Sequence, residues 1–485
     1  MVGERPALGA TATLRGMRRT KIVATIGPAS REPGTLLAMV NAGMDVARLN
    51  YSHGTLDEHA ETVGRLREAA NQAGRPVAIL QDLPGPKLRI GPLEDDVVEL
   101  TPGQRLTFIC GDGELAGDAT RMSISWAGLP GAVERDSILY LADGSVRLRV
   151  AAVRAGDCEV EVEVEVGGAV ASRQGLNIPG PVTSLPAVPE EDLHLLRHGE
   201  SIGVDMVALS FVQTPQDVEF VRDHTRLPLV AKMEKPQAVE NAEAIFKAAD
   251  YVMVARGDLG IELPIARVPI VQKQLLELAG WMARPSITAT QMLDSMVHSP
   301  RPTRAEVADV ANAILDGTDA VMLSQETAIG AHPVEAIAMM AAVAVQAEAI
   351  APYERWNEFR VRRTHFDPAY TIAHNLCDAA RELALDALVI PTLSGRSARL
   401  VSAHRPTVPI YALSPGRETV RRCGLMWGVQ AASMPRHETT EALIADAARR
   451  VVELGWCERG KRVGITAGLP SGRPGTTSLF QVQVL

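Results

Sequence analysis

Eight short apolar runs alternate with helix-like stretches from Lys21 onward, and that alternation limits the fold more than any other feature. The runs are KIVATIG (21–27), MDVARLN (44–50), PVAILQD (76–82), VDMVALS (204–210), PLVAKME (228–234), YVMVARG (251–257), SITATQ (286–291) and DAVMLS (319–324). Each is rich in Val, Ile, Leu, Met or Ala, and each tends to end on a polar or charged residue. Helical patterning separates most of them, as at 33–42 and 303–315. Eight strands alternating with helices predict a parallel (β/α)8 barrel.

One connection is far too long for a barrel loop. Residues 83–203 separate the third run from the fourth, where a βα connection ordinarily takes roughly 2–6 residues. Within it, residues 159–166 read EVEVEVEV, the period-two pattern of a strand with one dry and one wet face. Turns rich in Gly and Pro surround it, so residues 87–185 are expected to form a small inserted β domain. The barrel then comprises 18–86 and 186–350, after a disordered leader at 1–17. From 351 onward, LDALVIPT (385–392), VPIYALS (408–414) and RVGITAG (462–468) predict a further α/β domain, 351–485, with a largely parallel sheet.

Composition excludes several classes. The 485 residues are 46% hydrophobic, enough for two or three packed cores. A net charge of −9 and 4% aromatic content argue against nucleic acid as a partner. No apolar stretch has the length of a membrane span, and no secretory signal is evident. The five scattered cysteines contain no CxxC pair, as suits reduced thiols in a cytoplasmic protein.

Catalytic residues of such barrels gather at the carboxyl ends of the strands. Here those ends carry Arg48 and Asn50, Asp82, Lys232 and Glu234, Arg256 and Asp258, Thr290 and Gln291, and Ser324 and Glu326. Glu234 and Asp258 offer hard oxygen ligands for a divalent ion such as Mg2+. Lys232 precedes Glu234 by two residues, so both can face the mouth, and its ammonium suits a developing enolate or a transferring phosphoryl group. Gly257 and Asp258 offer backbone N–H groups to a substrate carboxylate, and Arg48 and Arg89 can clamp phosphate. Ordinary roles compete with each: ion pairs for Arg48 and Arg256, a helix cap for Asp82, backbone bonding for Thr290 and Ser324, turn formation for Asn50 and His53. From the residues alone, the reading is a barrel enzyme with a divalent metal and an anionic substrate.

Several long segments resemble the pyruvate kinase family in order along the chain: RTKIVATIGPAS (19–30), GMDVARLNYSHG (43–54), GLNIPG (175–180), VMVARGDLG (252–260), ATQMLDSM (289–296), RPTRAEVADVANAILDGTDAVMLSQETA (301–328) and TLSGRSARLVSAHRP (392–406). The resemblance implies a TIM barrel with an inserted small β-barrel lid domain and a C-terminal α/β regulatory domain, assembled as a homotetramer. It implies phosphoryl transfer from phosphoenolpyruvate to ADP, giving pyruvate and ATP in glycolysis. By the same similarity Glu234 and Asp258 hold Mg2+, with Mn2+ as an alternative. Lys232 stabilises the transfer and the enolate. Arg48 and Arg89 contact phosphate, and Asn50, His53 and Gln174 lie on the nucleotide side. Gly257, Asp258 and Thr290 hold the pyruvate moiety, and Thr290 and Ser324 serve protonation of the enolate.

Three positions depart from the family pattern. Asn50, Ser52, Asp82 and Leu83 mark the monovalent-cation site, but Lys87 stands where potassium-dependent members have a glutamate. This resembles the potassium-independent branch, so K+ is expected to be dispensable, a tethered ammonium replacing it. Gln174 replaces the lysine before the glycine of GLNIPG, with Arg173 one residue off register. Gln325 replaces a glycine beside Ser324. In the C-terminal domain, Thr392, Ser394, Gly395, Arg396 and Ser397 form a phosphate seat at a predicted helix start, which by resemblance takes a phosphorylated activator; a helix N-cap is the plainer reading. Two other functions stand beside the leading one: a weakly active regulator binding phosphometabolites, and a metal-dependent barrel aldolase or lyase.

Overall fold

The computed structural model describes residues 18–86, 88–179, 188–356, 367–468 and 477–485. Eight parallel strands close into a barrel: Lys21–Ile26, Val46–Asn50, Ala78–Asp82, Met206–Leu209, Leu229–Met233, Tyr251–Ala255, Ser286–Ala289 and Ala320–Leu323. Each lies within one of the eight apolar runs. Neighbours in sequence are neighbours in the ring, and the first strand pairs with the eighth from Lys21↔Ala320 to Ala24↔Leu323. Seven of the eight are buried along their whole length, and the second nearly so, because helices cover the outside and side chains fill the inside.

Helix starts follow capping chemistry. Thr55 and Thr303 each accept from the backbone N–H of a glutamate three residues on, Glu58 and Glu306, whose carboxylates return the bond. These reciprocal bonds satisfy N–H groups that have no partner within the helix.

The long connection after the third strand is mainly β, with one short helix, Leu129–Ala132, before it returns to the barrel through helix Glu190–Ile202. Strands Leu176–Asn177, Ile138–Leu141, Val146–Arg154, Glu159–Val166, Arg105–Cys110 and Arg121–Ile124 form one sheet, beside a ribbon of Val97–Leu100 and Gly168–Ala171. A small barrel is expected there from the resemblance, and residues 88–91 join the two edges of the sheet: the Leu176 N–H donates to the Leu88 carbonyl and the Ile90 N–H to the Gln174 carbonyl, each at 2.9 Å, while the Gly91 N–H donates to the Ser123 carbonyl at 2.8 Å and the Ser125 N–H to the Arg89 carbonyl at 3.0 Å. In EVEVEVEV, Val160, Val162 and Val164 are buried against Phe108, Leu139 and Leu148. The glutamates face arginines of the flanking strands, including Glu165 with Arg147 at 3.0 Å and Glu163 with Arg105 at 3.6 Å. The turn Ala142–Gly144 touches the barrel helix Arg256–Glu262.

The C-terminal sheet runs Val429–Ser433, Ile410–Ser414, Ala387–Pro391, Arg462–Gly468, Thr477–Val484, parallel except for the last pair. The first and last of these were not legible in the sequence. VQAAS carries one large apolar residue, and TSLFQVQV is an edge strand with no fully buried position. This domain closes the lower end of the barrel. Leu425, 0% exposed, packs with Val23, Val46, Ala78 and Met253 inside the strand ring. Around it, Lys21 Nζ donates to the Val429 carbonyl at 2.7 Å, and Arg421 reaches Asp205 at 2.6 Å. Among the described residues, no helix is long and apolar enough to cross a membrane.

Candidate active site

The polar strand ends meet in one chain of charge. Arg48, at the end of the second strand, donates through Nε to Asp82 at 2.6 Å and through Nη1 to Thr25 Oγ1 at 3.0 Å. Asp82, at the end of the third strand, lies 3.3 Å from Lys232 Nζ on the fifth. Lys232 lies 2.9 Å from Glu234 Oε1 and donates to Ser210 Oγ at 2.7 Å. Three of these side chains are nearly dry: Asp82 and Glu234 are each 1% exposed and Lys232 9%.

Burial and neighbours pull their protonation in opposite directions. Burial alone would raise Asp82, but the charges of Lys232 and Arg48 outweigh it and hold the carboxyl below its ordinary value. Burial alone would lower Lys232, but Asp82 and Glu234 outweigh it and hold the ammonium protonated. Glu234 goes the other way: burial, with repulsion from Asp258, raises it despite Lys232. Its second oxygen accepts the Phe211 N–H at 2.7 Å, and Oε1 faces the ammonium without hydrogen-bond geometry. A buried carboxylate crowded by a second carboxylate, with one oxygen making no hydrogen bond, fits a divalent cation. No group of three or more His, Cys, Asp or Glu gathers for a metal among the described residues.

The sixth and seventh strands supply the other wall. The Gly257 N–H, at the start of helix Arg256–Glu262, donates to Thr290 Oγ1 at 2.7 Å, and Thr290 donates to the Ala289 carbonyl at 2.7 Å. A Cβ at 257 would lie 3.3 Å from Thr290 Oγ1, a tight contact that glycine avoids. Thr290 and Gln291 both have positive φ, 71° and 52°, strain that a surrounding structure must hold in place. Glu326 supplies part of that hold. It is 1% exposed, accepts the Leu293 N–H at 3.0 Å and the Ser324 N–H at 2.7 Å, and so staples the loop after Thr290 to the end of the eighth strand. Burial raises its carboxyl. The Ser324 hydroxyl is buried and has no hydrogen-bond partner among the described residues. Arg256 is a strut here, paired with Asp309 at 2.7 Å and bonded to the Ala289 and Thr290 carbonyls.

The remaining candidates lie further out. Asn50 Oδ1 accepts the Ser52 N–H at 3.2 Å, and the His53 carbonyl accepts from His59 Nε2 at 3.0 Å. The Leu83 carbonyl accepts from Ser210 Oγ at 2.7 Å. Arg89 belongs to the inserted domain, where it donates to the Arg173 carbonyl at 3.1 Å. Gln174 turns its amide oxygen to the Ala171 N–H at 2.8 Å, and exposed Arg173 lies 3.4 Å from Glu114. Gln325 is exposed and opens a short helix, Gln325–Ala328. Lys87, the residue expected to replace K+, lies outside the described residues, as do 469–476 of the loop GLPSGRPGTT. In the C-terminal domain, the Gly395 N–H donates to Thr392 Oγ1 at 3.0 Å, Gly395 has φ 84°, and helix Arg396–Ala403 follows. Arg396 is paired with Asp367, and Ser397 bonds Thr477 at 2.6 Å; Ser394 is exposed.

Residues 17–337 match the family described as "Pyruvate kinase, barrel domain", and residues 370–483 match "Pyruvate kinase, alpha/beta domain". The chain belongs to the pyruvate kinase family. It is 39% identical over 474 residues to a pyruvate kinase of Staphylococcus aureus (strain MRSA252), covering 97% of this chain and 81% of the relative. It is 40% identical over 474 residues to one of Geobacillus stearothermophilus, covering 96% and 80%. The crystal structure of a pyruvate kinase from Cryptosporidium parvum superposes with a TM-score of 0.88 at 32% identity, covering 96% of each chain. Pyruvate kinases are phosphotransferases, so the chain is an enzyme.

Three members of the site have no assigned role in a reading of the sequence. Thr25 and Ser210 are strand-end hydroxyls within apolar runs, which is the signal that could have found them. The Phe211 N–H, turned toward Glu234 by a positive φ of 57°, leaves no trace in residue type.

Proposed function

We propose that this pyruvate kinase family member transfers the phosphoryl group of phosphoenolpyruvate to ADP, with Mg2+ bound at Glu234 and Asp258. The observation that carries the reading is the enclosed pair of Lys232 and Glu234, 2.9 Å apart and joined to Asp82 and Arg48. A protonated lysine in a dry site acts strongly on charge that develops beside it. Lys232 is the group that stabilises the departing enolate and the phosphoryl group in flight. Arg48, fixed by Asp82 and Thr25, presents its remaining N–H groups to phosphate oxygens. The bound divalent ion supplies neutralisation of phosphate and enolate charge.

Thr290 has a second task. Its hydroxyl bonds the Gly257 N–H, and a substrate carboxylate seated at the start of helix Arg256–Glu262 would take over that donor and free the hydroxyl. Thr290 and the Ser324 hydroxyl, without a partner among the described residues, then stand on the side from which the enolate carbon is protonated. Arg89 and Gln174 bring the inserted domain's rim to the nucleotide, and closure of that domain excludes water from the transfer. The Thr392–Ser397 loop is read as the seat of a phosphorylated activator in a homotetramer.

Lys87 in place of a glutamate supports activity without K+. The experiment is pyruvate formation from phosphoenolpyruvate, ADP and Mg2+ in sodium-only buffer, repeated with KCl. Equal rates are expected; a many-fold rise with KCl refutes the potassium-independent reading, and no pyruvate in either buffer refutes the reaction.

A further inference from the structure

The chain leaves the barrel for the inserted domain after the third strand, through the sequence LPGP at residues 83–86. One turn of the barrel grips that exit, formed by Ser210 and Phe211 directly after the fourth strand, Met206–Leu209. Gly85 has φ 69°, and a Cβ there would fall 2.9 Å from both Ser210 Cβ and Phe211 Cδ2, so this packing needs glycine. The Gly85 N–H donates to Asp192 at 2.9 Å, on the helix Glu190–Ile202 by which the chain re-enters the barrel. The Leu83 N–H donates to the Ala208 carbonyl at 3.0 Å.

The same turn touches the charged chain of the active site. Lys232 Nζ donates to Ser210 Oγ at 2.7 Å, Ser210 Oγ donates to the Leu83 carbonyl at 2.7 Å, and the Phe211 N–H donates to Glu234 at 2.7 Å. The direction of the first two bonds is fixed. An ammonium has three donors and no acceptor, so Ser210 accepts from Lys232, and its single hydroxyl hydrogen is left for Leu83. Ser210 is 4% exposed and Leu83 1%, so little water competes for these bonds. A hydroxyl that accepts from a cation is also the stronger donor onward.

We propose that Ser210 is a positioning residue for phosphoryl transfer: it takes one N–H of the Lys232 ammonium and ties it to the segment by which the chain leaves for the inserted domain, so that displacing either end loosens the other. The role rests on Lys232 being the group that meets phosphoryl and enolate charge. One N–H on Ser210 leaves two for the carboxylates and the reacting group. The lysine and the exit segment share one hydroxyl, and a change in what the lysine binds reaches the inserted domain through it.

The test compares the full-length parent, Ser210→Ala, Lys232→Met and the double variant. Amide hydrogen exchange is followed by mass spectrometry on peptides covering residues 83–85, with peptides covering the C-terminal strand Ile410–Ser414 as the reference for global opening. Relative to that reference, Ser210→Ala should speed exchange at 83–85 by about 3–10-fold. Lys232→Met should speed it at least about twofold, and the double variant should be no faster than Ser210→Ala alone. A serine with a purely structural role would leave exchange at 83–85 unmoved by Lys232→Met, or the two effects would multiply; either result overturns the proposal. In pyruvate formation, Ser210→Ala should lower kcat by about 10–100-fold with KM for phosphoenolpyruvate within about threefold of the parent. An active parent beside a Ser210→Ala variant of nearly equal kcat overturns the proposal, whereas a parent that makes no pyruvate refutes the reaction and leaves the exchange comparison to decide the tie. If Ser210→Ala does not fold, Ser210→Cys, which keeps the volume with a weak donor, is compared in the same way.

Discussion

Replacing Lys232 by methionine keeps the length of the side chain and removes its charge, and the structure sets what that should cost. Asp82 and Glu234 are each 1% exposed, and Lys232 lies 3.3 Å and 2.9 Å from them. Breaking a buried pair by removing one partner typically costs about 3–5 kcal/mol. Arg48 still holds Asp82 at 2.6 Å in the variant, so the loss falls on Glu234, left with Asp258 as a repelling neighbour. Glu234 already sits above its ordinary carboxyl value, and without Lys232 it rises further. A carboxyl raised in the folded state contributes stability in acid that is lost as pH climbs through the folded pKa. The deficit of Lys232→Met should therefore be small near pH 5 and grow to about 6–10 °C in melting temperature at pH 8. Adding Glu234→Gln should recover most of it, since the orphaned charge is gone. Thermal unfolding followed by tryptophan fluorescence over that pH range is the assay. A deficit that does not change with pH, or a double variant no more stable than the single one, would refute the reasoning.

Other outcomes follow from the same geometry. Leu425→Ala should destabilise the chain by about 2–5 kcal/mol, because Leu425 fills the strand ring from the C-terminal domain; calorimetry should show barrel and C-terminal domain melting earlier together. Glu326→Gln leaves one of the Leu293 and Ser324 N–H groups facing an amide NH2, so kcat should fall at least tenfold with KM for phosphoenolpyruvate little changed. Asp192, buried and bonded to the Gly85 N–H at 2.9 Å, is pushed up to about 6 by burial. Its contribution to stability is full below about pH 4 and lost as pH rises through 6. Asp192→Asn should thus gain on the parent chain by up to about 3 kcal/mol between pH 4 and 8, read as a growing difference in melting temperature.

Period and polarity carried most of the fold. All eight barrel strands were legible because each is a short apolar run, most of them ended by a polar or charged residue, and EVEVEVEV declared its own dry face. The strands that escaped, Val429–Ser433 and Thr477–Val484, lie at the edges of their sheet, where burial does not impose a pattern. The site was legible in its side chains but not in its backbone. Lys232, Glu234 and Asp82 stand out at strand ends, whereas the Phe211 N–H and the left-handed turn at Thr290 and Gln291 depend on conformations that sequence spacing does not encode.

The central claim is that Glu234 and Asp258 jointly hold the ion on which transfer depends. Pyruvate formation from phosphoenolpyruvate, ADP and Mg2+, measured for the parent chain, Glu234→Gln and Asp258→Asn after each is shown to be folded, tests it most directly. The parent should turn over and each variant should lose about a thousandfold or more in kcat; either variant within tenfold of the parent would contradict the account.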